Sequence, residues 1–465
     1  MSKTPILQPM TPPQKGQCRH WYGLDTASSA LAISEAAVST NAPVLLVAKD
    51  AEEADELIGA IKFFTHGTDL EVLSLPDWEV LPYDVFSPDQ RIVSERLATF
   101  SRLPKLQRGI LTLPVSALMQ RLCPRGYVSA TVFRLERHEP MPHQQFCQQL
   151  SQNGYLRVGE VLEQGEYAVR GSLIDVFPSG STHAYRIDFL DDAVDSIRAF
   201  EPDSQRSIQE VPKIELMPAR EFPTDENSLR LVKRRMRSRF GQEVQRSFLY
   251  QEISQGRLPS GIESYLPLFF DQTENVLDYL PETTIIILPA YFDDILEQSW
   301  KQTAHRYEQH GLDREHPLLP PDELLYRPEV LRSMLNTRAR IRLHDQEESE
   351  QAKKHYDIFN VISGPKLKLS GKGDETLEHY AAQNQSVLIL TASVGEREIM
   401  QERLQTMGCT VSAIESWHDF ITHKPALALA RADIHQGFSI PDQQIALVGF
   451  DQWQDYTALT QKRSQ

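Results

Sequence analysis

The stretch WYGLDTASSALAISEAA (21–37) runs from a strand-like apolar end into a helical pattern. In an α/β domain such a crossover is a natural place to hold phosphate, because free amides and the positive pole of the helix face an anion there. Phosphoryl-transfer chemistry asks for more: a glycine turn, a lysine on the β/γ-phosphates and a hydroxyl on Mg²⁺, spaced G-x-x-x-x-G-K-[ST]. With Gly23 on the first glycine, Ser28 falls on the second, Ser29 on the lysine and Ala30 on the metal-binding hydroxyl. Neither the ammonium nor the metal ligand is there. The second half of such a site is an acidic pair at the end of a buried strand. The apolar run TIIIL (284–288) is followed instead by Pro289 and Ala290, and Asp293 and Asp294 come too late and fall in the next helix. Gly23, Ser28, Ser29, Ala30, Pro289 and Ala290 therefore mark a degenerate nucleotide site, expected to be inactive.

Other chemistries fare no better. Cys18, Cys123, Cys147 and Cys409 lack the close spacing of a zinc site, and nothing suggests a disulfide framework. A reducing cytoplasmic compartment is expected. The fourteen histidines show no clustered ligand spacing. No metal, cofactor or catalytic residue is expected in this chain. The N-terminus is polar and proline-broken, and no apolar run approaches the ~20 residues that span a membrane.

With 465 residues, about three or four domains are expected. The formal charge is −16, from 48 basic and 64 acidic side chains, so this is not a chain whose main task is to coat DNA. Residues 1–131 read as the first part of an α/β domain: APVLLVA suits a buried parallel strand and DAEEADELIGAIKFF the helix after it. Residues 132–216 turn to short strands punctuated by Gly, Pro and Asp, with a helix at HQQFCQQLSQNG, as an inserted α+β module would. Residues 217–338 return to helices and the TIIIL strand, 339–365 read as a charged linker, and 366–465 as a small separate α/β domain. TDENSLRLVKRRMRSRFG (224–241) reads as a helix with Thr224 as N-cap, an apolar stripe of Leu229, Val232, Met236 and Phe240, and basic other faces. That helix is either solvated, salt-bridged to a neighbouring domain, or in weak contact with DNA.

AYRIDFLDDAVDSIRAF (184–200) reads as a hairpin. A three-residue loop at Asp191–Ala193 sets Ile187 against Ile197 and sends Tyr185, Ile187, Phe189, Ile197 and Ala199 to a core face. Arg186, Asp188 and Leu190 then share the other face, opposite Arg198, Ser196 and Val194. The upstream strand YAVRGSLIDVF adds Arg170 beside Gly171. Arginines and an exposed apolar side chain on a rigid sheet are typical anchors for a protein partner.

RGSLIDVFPSGSTHAYRIDFLDDAVDSIRAFEPDSQRS (170–207) resembles the module with which the excision-repair subunit UvrB binds UvrA. GIESYLPLFF (261–270) and LDYLPETTIIIL (277–288) resemble the UvrB stretch leading to its acidic ATPase motif, with Pro289 and Ala290 in place of the acids. DWEVLPYDVFSPDQRIVSERLATF (77–100) resembles a further UvrB region but leaves no room for its damage-binding hairpin. A UvrB-like chain lacking both is similar to the N-terminal part of the bacterial transcription-repair coupling factors. The resemblance implies a degenerate RecA/P-loop-like α/β domain in two parts, split by a UvrA-binding module. It implies UvrA as partner through Arg170, Arg186 and the apolar position of Leu190, where many relatives carry Phe, and the strand pattern adds Gly171, Asp188 and Arg198 to the expected UvrA-binding set. It also implies that a missing C-terminal part holds an ATP- and Mg-dependent DNA translocase that engages RNA polymerase and DNA. That part would mask the UvrA surface until polymerase is met. The fragment itself is expected to be a monomer. The rival readings are an ATP-driven helicase fragment and a UvrB-like damage-binding protein.

Overall fold

The computed structural model describes residues 4–9, 14–311, 313–344, 356–367, 377 and 385–453. The chain opens with strand β1 (Cys18–Tyr22), helix α1 (Thr26–Ser39), β2 (Pro43–Ala48), α2 (Ala51–Phe64), β3 (Glu71–Ser74), α3 (Gln90–Arg102) and β4 (Gly109–Pro114). The module follows with β5 (Phe133–Glu136), β6 (Leu156–Arg157), β7 (Glu166–Arg170), β8 (Leu173–Val176), β9 (Ala184–Leu190), β10 (Ala193–Phe200), β11 (Ser207–Glu210) and β12 (Lys213–Leu216). The chain then returns through β13 (Ile285–Leu288), β14 (Ala339–His344) and β15 (Tyr356–Ile358). It continues with β16 (Ile362–Ser363), β17 (Ser386–Thr391), β18 (Ser412–Ala413), β19 (Leu427–Arg431), β20 (Phe438–Ile440) and β21 (Ile445–Val448).

The first sheet has seven strands in the order β15-β1-β14-β13-β2-β4-β3, and every pairing in it is parallel. Strands from beyond the module are thus wedged between β1 and β2, and neither part could close the sheet alone. β2, β4 and β13 are buried along their whole length, as strands covered on both faces must be. The stretch read as a charged linker contributes two of these strands. Its arginines obscured an alternation in which Ala339 and Ile341 are buried while Arg340 and Arg342 are only partly so. The segment 345–355 lies outside the described residues.

The last sheet runs β16-β20-β21-β17-β19-β18. It shares a core with α1 and α2: the Phe64 ring meets Trp417 edge-on at 5.3 Å and lies 6.4 Å from Phe438. The module has its own six-stranded sheet, β11-β10-β9-β8-β7-β6, with a core of Phe146, Leu150, Tyr167, Ile174, Ile187, Phe189, Val194 and Ile197.

One buried ion pair ties the module to the body. Arg96 of α3 is fully buried; its Nε donates to Glu221 at 2.5 Å, Nη2 to the same carboxylate at 3.2 Å and Nη1 to the Pro76 carbonyl at 2.5 Å. Trp78 Nε1 donates to Glu221 as well, at 3.2 Å. The two charges neutralise each other and each group makes three hydrogen bonds, the condition under which a buried ion pair is tolerated. The helix Glu226–Phe240 follows directly. Its N-cap is Asp225, whose carboxylate accepts from the Asn227 and Ser228 amides, whereas the hydroxyl of Thr224, the expected cap, turns away to the Gln152 carbonyl. Leu229, Val232 and Met236 are buried as the stripe requires. Much of the basic face is taken up inside the molecule: Arg235 by the Leu268 and Phe270 carbonyls, Arg237 by Tyr250 and Arg239 by Glu323.

Candidate protein-interaction face

The β9–β10 hairpin turns on two residues, Asp191 and Asp192, not on three. A regular two-residue turn would set Ile187 against Ser196. Asp195 bulges out between Val194 and Ser196, and beyond it Ile187 pairs with Ile197, Arg186 with Arg198 and Asp188 with Ser196. The expected pairing is present, produced by a bulge instead of a longer loop. One placement changes with it: Val194 faces Phe189 and is fully buried, and Ala193 takes the place opposite Leu190.

Register across the sheet assembles two rows on the face away from the module core. One row is Ala168, Asp175, Arg186, Arg198 and Glu210; the other is Arg170, Leu173, Asp188 and Ser196. Gly171 sits at φ +66° in the β7–β8 turn, a left-handed conformation that a Cβ would strain although nothing crowds the site. Leu190 ends β9 next to that turn, bound through Phe189 N–H to the Ser172 carbonyl at 3.2 Å, and is 65% exposed. The six residues expected from sequence therefore lie on one face or at its edge.

Their situations differ. Arg186 is held by Asp175: Nε and Nη2 donate to the two carboxylate oxygens at 2.7 and 2.8 Å, and the guanidinium lies 4.8 Å from the Phe200 ring centroid. Asp175 is 2% exposed, and its hydrogen bonds push the Arg186 pKa above the usual arginine value. Arg186 is thus as much a structural group as a surface one. Sequence reading missed Asp175, although a lone acid inside the apolar strand LIDV was a signal that it needed a cation. At one end of the face, Val161, Ala168, Ala184 and Phe200 form a small apolar cluster.

Arg170 is looser. Its guanidinium is 3.8 Å from Glu160 and 3.4 Å from the Gly159 carbonyl, and its side chain is 45% exposed. Asp188 accepts from Ser172 Oγ at 3.0 Å. Arg198 stands between Arg186 and Glu210, but Glu210 pairs with Arg137 at 3.5 Å. The Arg198 Nε is buried with no hydrogen-bond partner among the described residues. A buried N–H of a cation without an acceptor costs free energy that an incoming carboxylate or carbonyl would recover.

Of the six residues read as a degenerate nucleotide site, Ser29, Pro289 and Ala290 come together at one cavity, while Gly23, Ser28 and Ala30 do not line it. Asp25, Ser29, Lys49, Glu53, Pro289, Ala290 and Tyr291 line one cavity of about 430 Å³. A carboxylate of the chain itself stands at the start of α1, where a phosphate would have to bind: Asp25 accepts from the Ser28 amide at 2.8 Å and from the Ser28 hydroxyl at 2.6 Å. Three residues, 23–25, join β1 to α1, so there is no loop to wrap an anion. A Cβ on Gly23 would lie 2.9 Å from the Phe359 carbonyl oxygen. Asp293 belongs to the helix Phe292–His310 and is bound by Arg332 and Arg342, which hold its carboxyl below the usual range against the opposing effect of burial. Cys123 is buried, which pushes its thiol up to about 12 and leaves it unreactive. Among the described residues no group of three or more His, Cys, Asp or Glu could hold a metal ion, and no helix is long and apolar enough to cross a membrane.

Residues 133–222 match the family model described as the UvrB interaction domain, and residues 379–449 match the D3 domain of MFD. A UvrB-type interaction module carried on an α/β body is the class of protein that fold and face define. Over 333 residues, 71% of this chain, it is 40% identical to the transcription-repair-coupling factor of Escherichia coli. It is 34% identical over 457 residues, 96% of the chain, to that of Haemophilus influenzae, and 31% identical over 356 residues to that of Myxococcus xanthus. The chain belongs to the transcription-repair coupling factor family. It spans 29%, 39% and 29% of the length of these three relatives.

Proposed function

We propose that this chain recruits UvrA in transcription-coupled nucleotide excision repair, through the outer face of the β7–β10 sheet. In this reading the chain is a non-catalytic counterpart of UvrB: a degenerate RecA-like body carries the UvrA-binding module. An ATP-driven DNA translocase that acts on stalled RNA polymerase lies in the remaining length of the full protein. That part covers the UvrA face until polymerase is engaged, and the whole works in the cytoplasm.

The observation that supports this best is the composition of the face. Arg170 and Arg198 lie on one sheet face with a largely exposed Leu190 at its edge, and the Arg198 Nε has no hydrogen-bond partner among the described residues, the combination of apolar and arginine anchors that protein interfaces favour. Asp25 in the phosphate position supports the lack of ATP turnover. A photo-cross-linking residue placed at Leu190 is expected to capture UvrA, whereas one at Val330, an exposed position on the body, is not. Capture from Val330 alone would contradict the assignment.

A further inference from the structure

The loop 77–87, DWEVLPYDVFS, exposes three large apolar side chains within six residues: Leu81 at 58%, Val85 at 55% and Phe86 at 68%. It is not loose. Arg306 donates to the Pro82 carbonyl at 2.8 Å and to Asp84 at 2.5 Å, buried Tyr83 donates to the Leu319 carbonyl at 2.9 Å, and Ser87 donates to Glu263 at 2.7 Å. Glu79 and Tyr83 are held at φ +54° and +71°, a conformation that persists only where surrounding contacts impose it. A fixed loop that holds apolar groups in water marks an interaction surface.

A cavity of about 150 Å³ opens beside these side chains, floored by Met119, Gln120 and Leu325. Gln120 is 8% exposed, and its Oε1 is buried with no hydrogen-bond partner among the described residues. A buried amide oxygen left unpaired is a vacancy for a donor. The charges nearby specify which donor. Asp77, Asp84 and Glu263 line the cavity, and its one lining cation, Arg306, is taken by Asp84. Glu263 is matched by Arg220. Asp77 accepts from the Glu79 amide and the Ser116 hydroxyl, and among the described residues it forms no ion pair. A phosphate would be repelled by these carboxylates.

We infer that this cavity receives an arginine side chain from an apolar segment of a protein partner, with the guanidinium addressing Gln120 Oε1 and Asp77 and the flanking residues covering Leu81, Val85 and Phe86. A guanidinium presents several donors in one plane and tolerates partial desolvation better than an ammonium. The surface is separate from the module face, so it offers a second point of attachment, independent of the proposed recruitment of UvrA.

The test is a methyl NMR titration of the chain, read at the Met119 methyl group, with the blocked peptide Leu-Phe-Arg-Leu-Val. A second arm uses the same peptide with neutral citrulline in place of arginine. The expected result is a saturable shift with the arginine peptide and binding about tenfold or more weaker with citrulline, with Gln120→Leu and with Asp77→Asn, as loss of a charge-assisted hydrogen bond requires. Leu81→Ser, at an exposed position that cannot unseat the fold, is expected to weaken binding as well. Equal binding of the two peptides, no saturable shift up to millimolar peptide, or displacement of the peptide by a single-stranded oligonucleotide would each overturn the inference.

Discussion

Arg186 carries two duties, and this changes how its substitution must be read. Removing it leaves Asp175, 2% exposed, without its cation. Stranding one member of a buried pair costs about 3–5 kcal/mol. Arg186→Ala is therefore expected to lower the module's stability by roughly that amount in urea unfolding followed by hydrogen exchange in β8 and β9; an unchanged exchange pattern would show that Asp175 is not dependent on it. Loss of partner binding in that variant would not by itself locate the interface. Arg170 and Leu190 are cleaner probes, since both are exposed and neither neutralises a buried group. Sequence alternation placed Arg186 on the correct face. It could not reveal the ion pair, because Asp175 comes from the neighbouring strand and only the β8–β9 register brings the two together.

The hairpin and the helix Glu226–Phe240 show what local pattern can and cannot supply. The Ile187–Ile197 pairing was legible because both must be buried, but the bulge that produces it was not. Nothing in DDAVDS distinguishes a three-residue loop from a two-residue turn followed by one extra residue, and tertiary packing of Val194 decides it. At the helix start, Thr224 and Asp225 are both good caps by type. The carboxylate is the cap because the threonine side chain is directed away from the helix amides, towards the Gln152 carbonyl. Burial alone would push the Asp225 carboxyl up, but hydrogen bonds from Ser228 and Asn227 outweigh it and hold the pKa below its ordinary value near 3.8. A depressed carboxylate stabilises the folded state above its unfolded pKa and loses that contribution as pH falls through the folded one. Asp225→Ala is expected to cost about 1 kcal/mol at neutral pH, with the gap to the parent chain closing below about pH 4. A difference that persists undiminished at low pH would refute the charged-cap account.

At the scale of the whole molecule, the α/β class and the inserted module could be read from the alternation of strand and helix patterns. The closing strands β14 and β15 could not, since arginines and the neighbouring charged run disguised them as a linker. The module is presented from the body through Arg96 and Glu221, both fully enclosed. Arg96→Met is expected to destabilise by about 3–5 kcal/mol, while the double substitution Arg96→Met/Glu221→Leu returns most of that, because no buried charge is then left alone. Equal losses in single and double variants, measured by thermal unfolding, would show that the pair's geometry and not its charge balance holds the module in place.

The outer face of β7–β10 is the surface proposed to meet UvrA. The most direct measurement is a calorimetric titration of UvrA into the parent chain and into Arg170→Ala/Leu190→Ser, with the fold of both checked by circular dichroism. Truncating interface anchors of this kind typically costs on the order of 2 kcal/mol or more, about thirtyfold in Kd. The account predicts at least that loss in a folded double variant; undiminished affinity would contradict it.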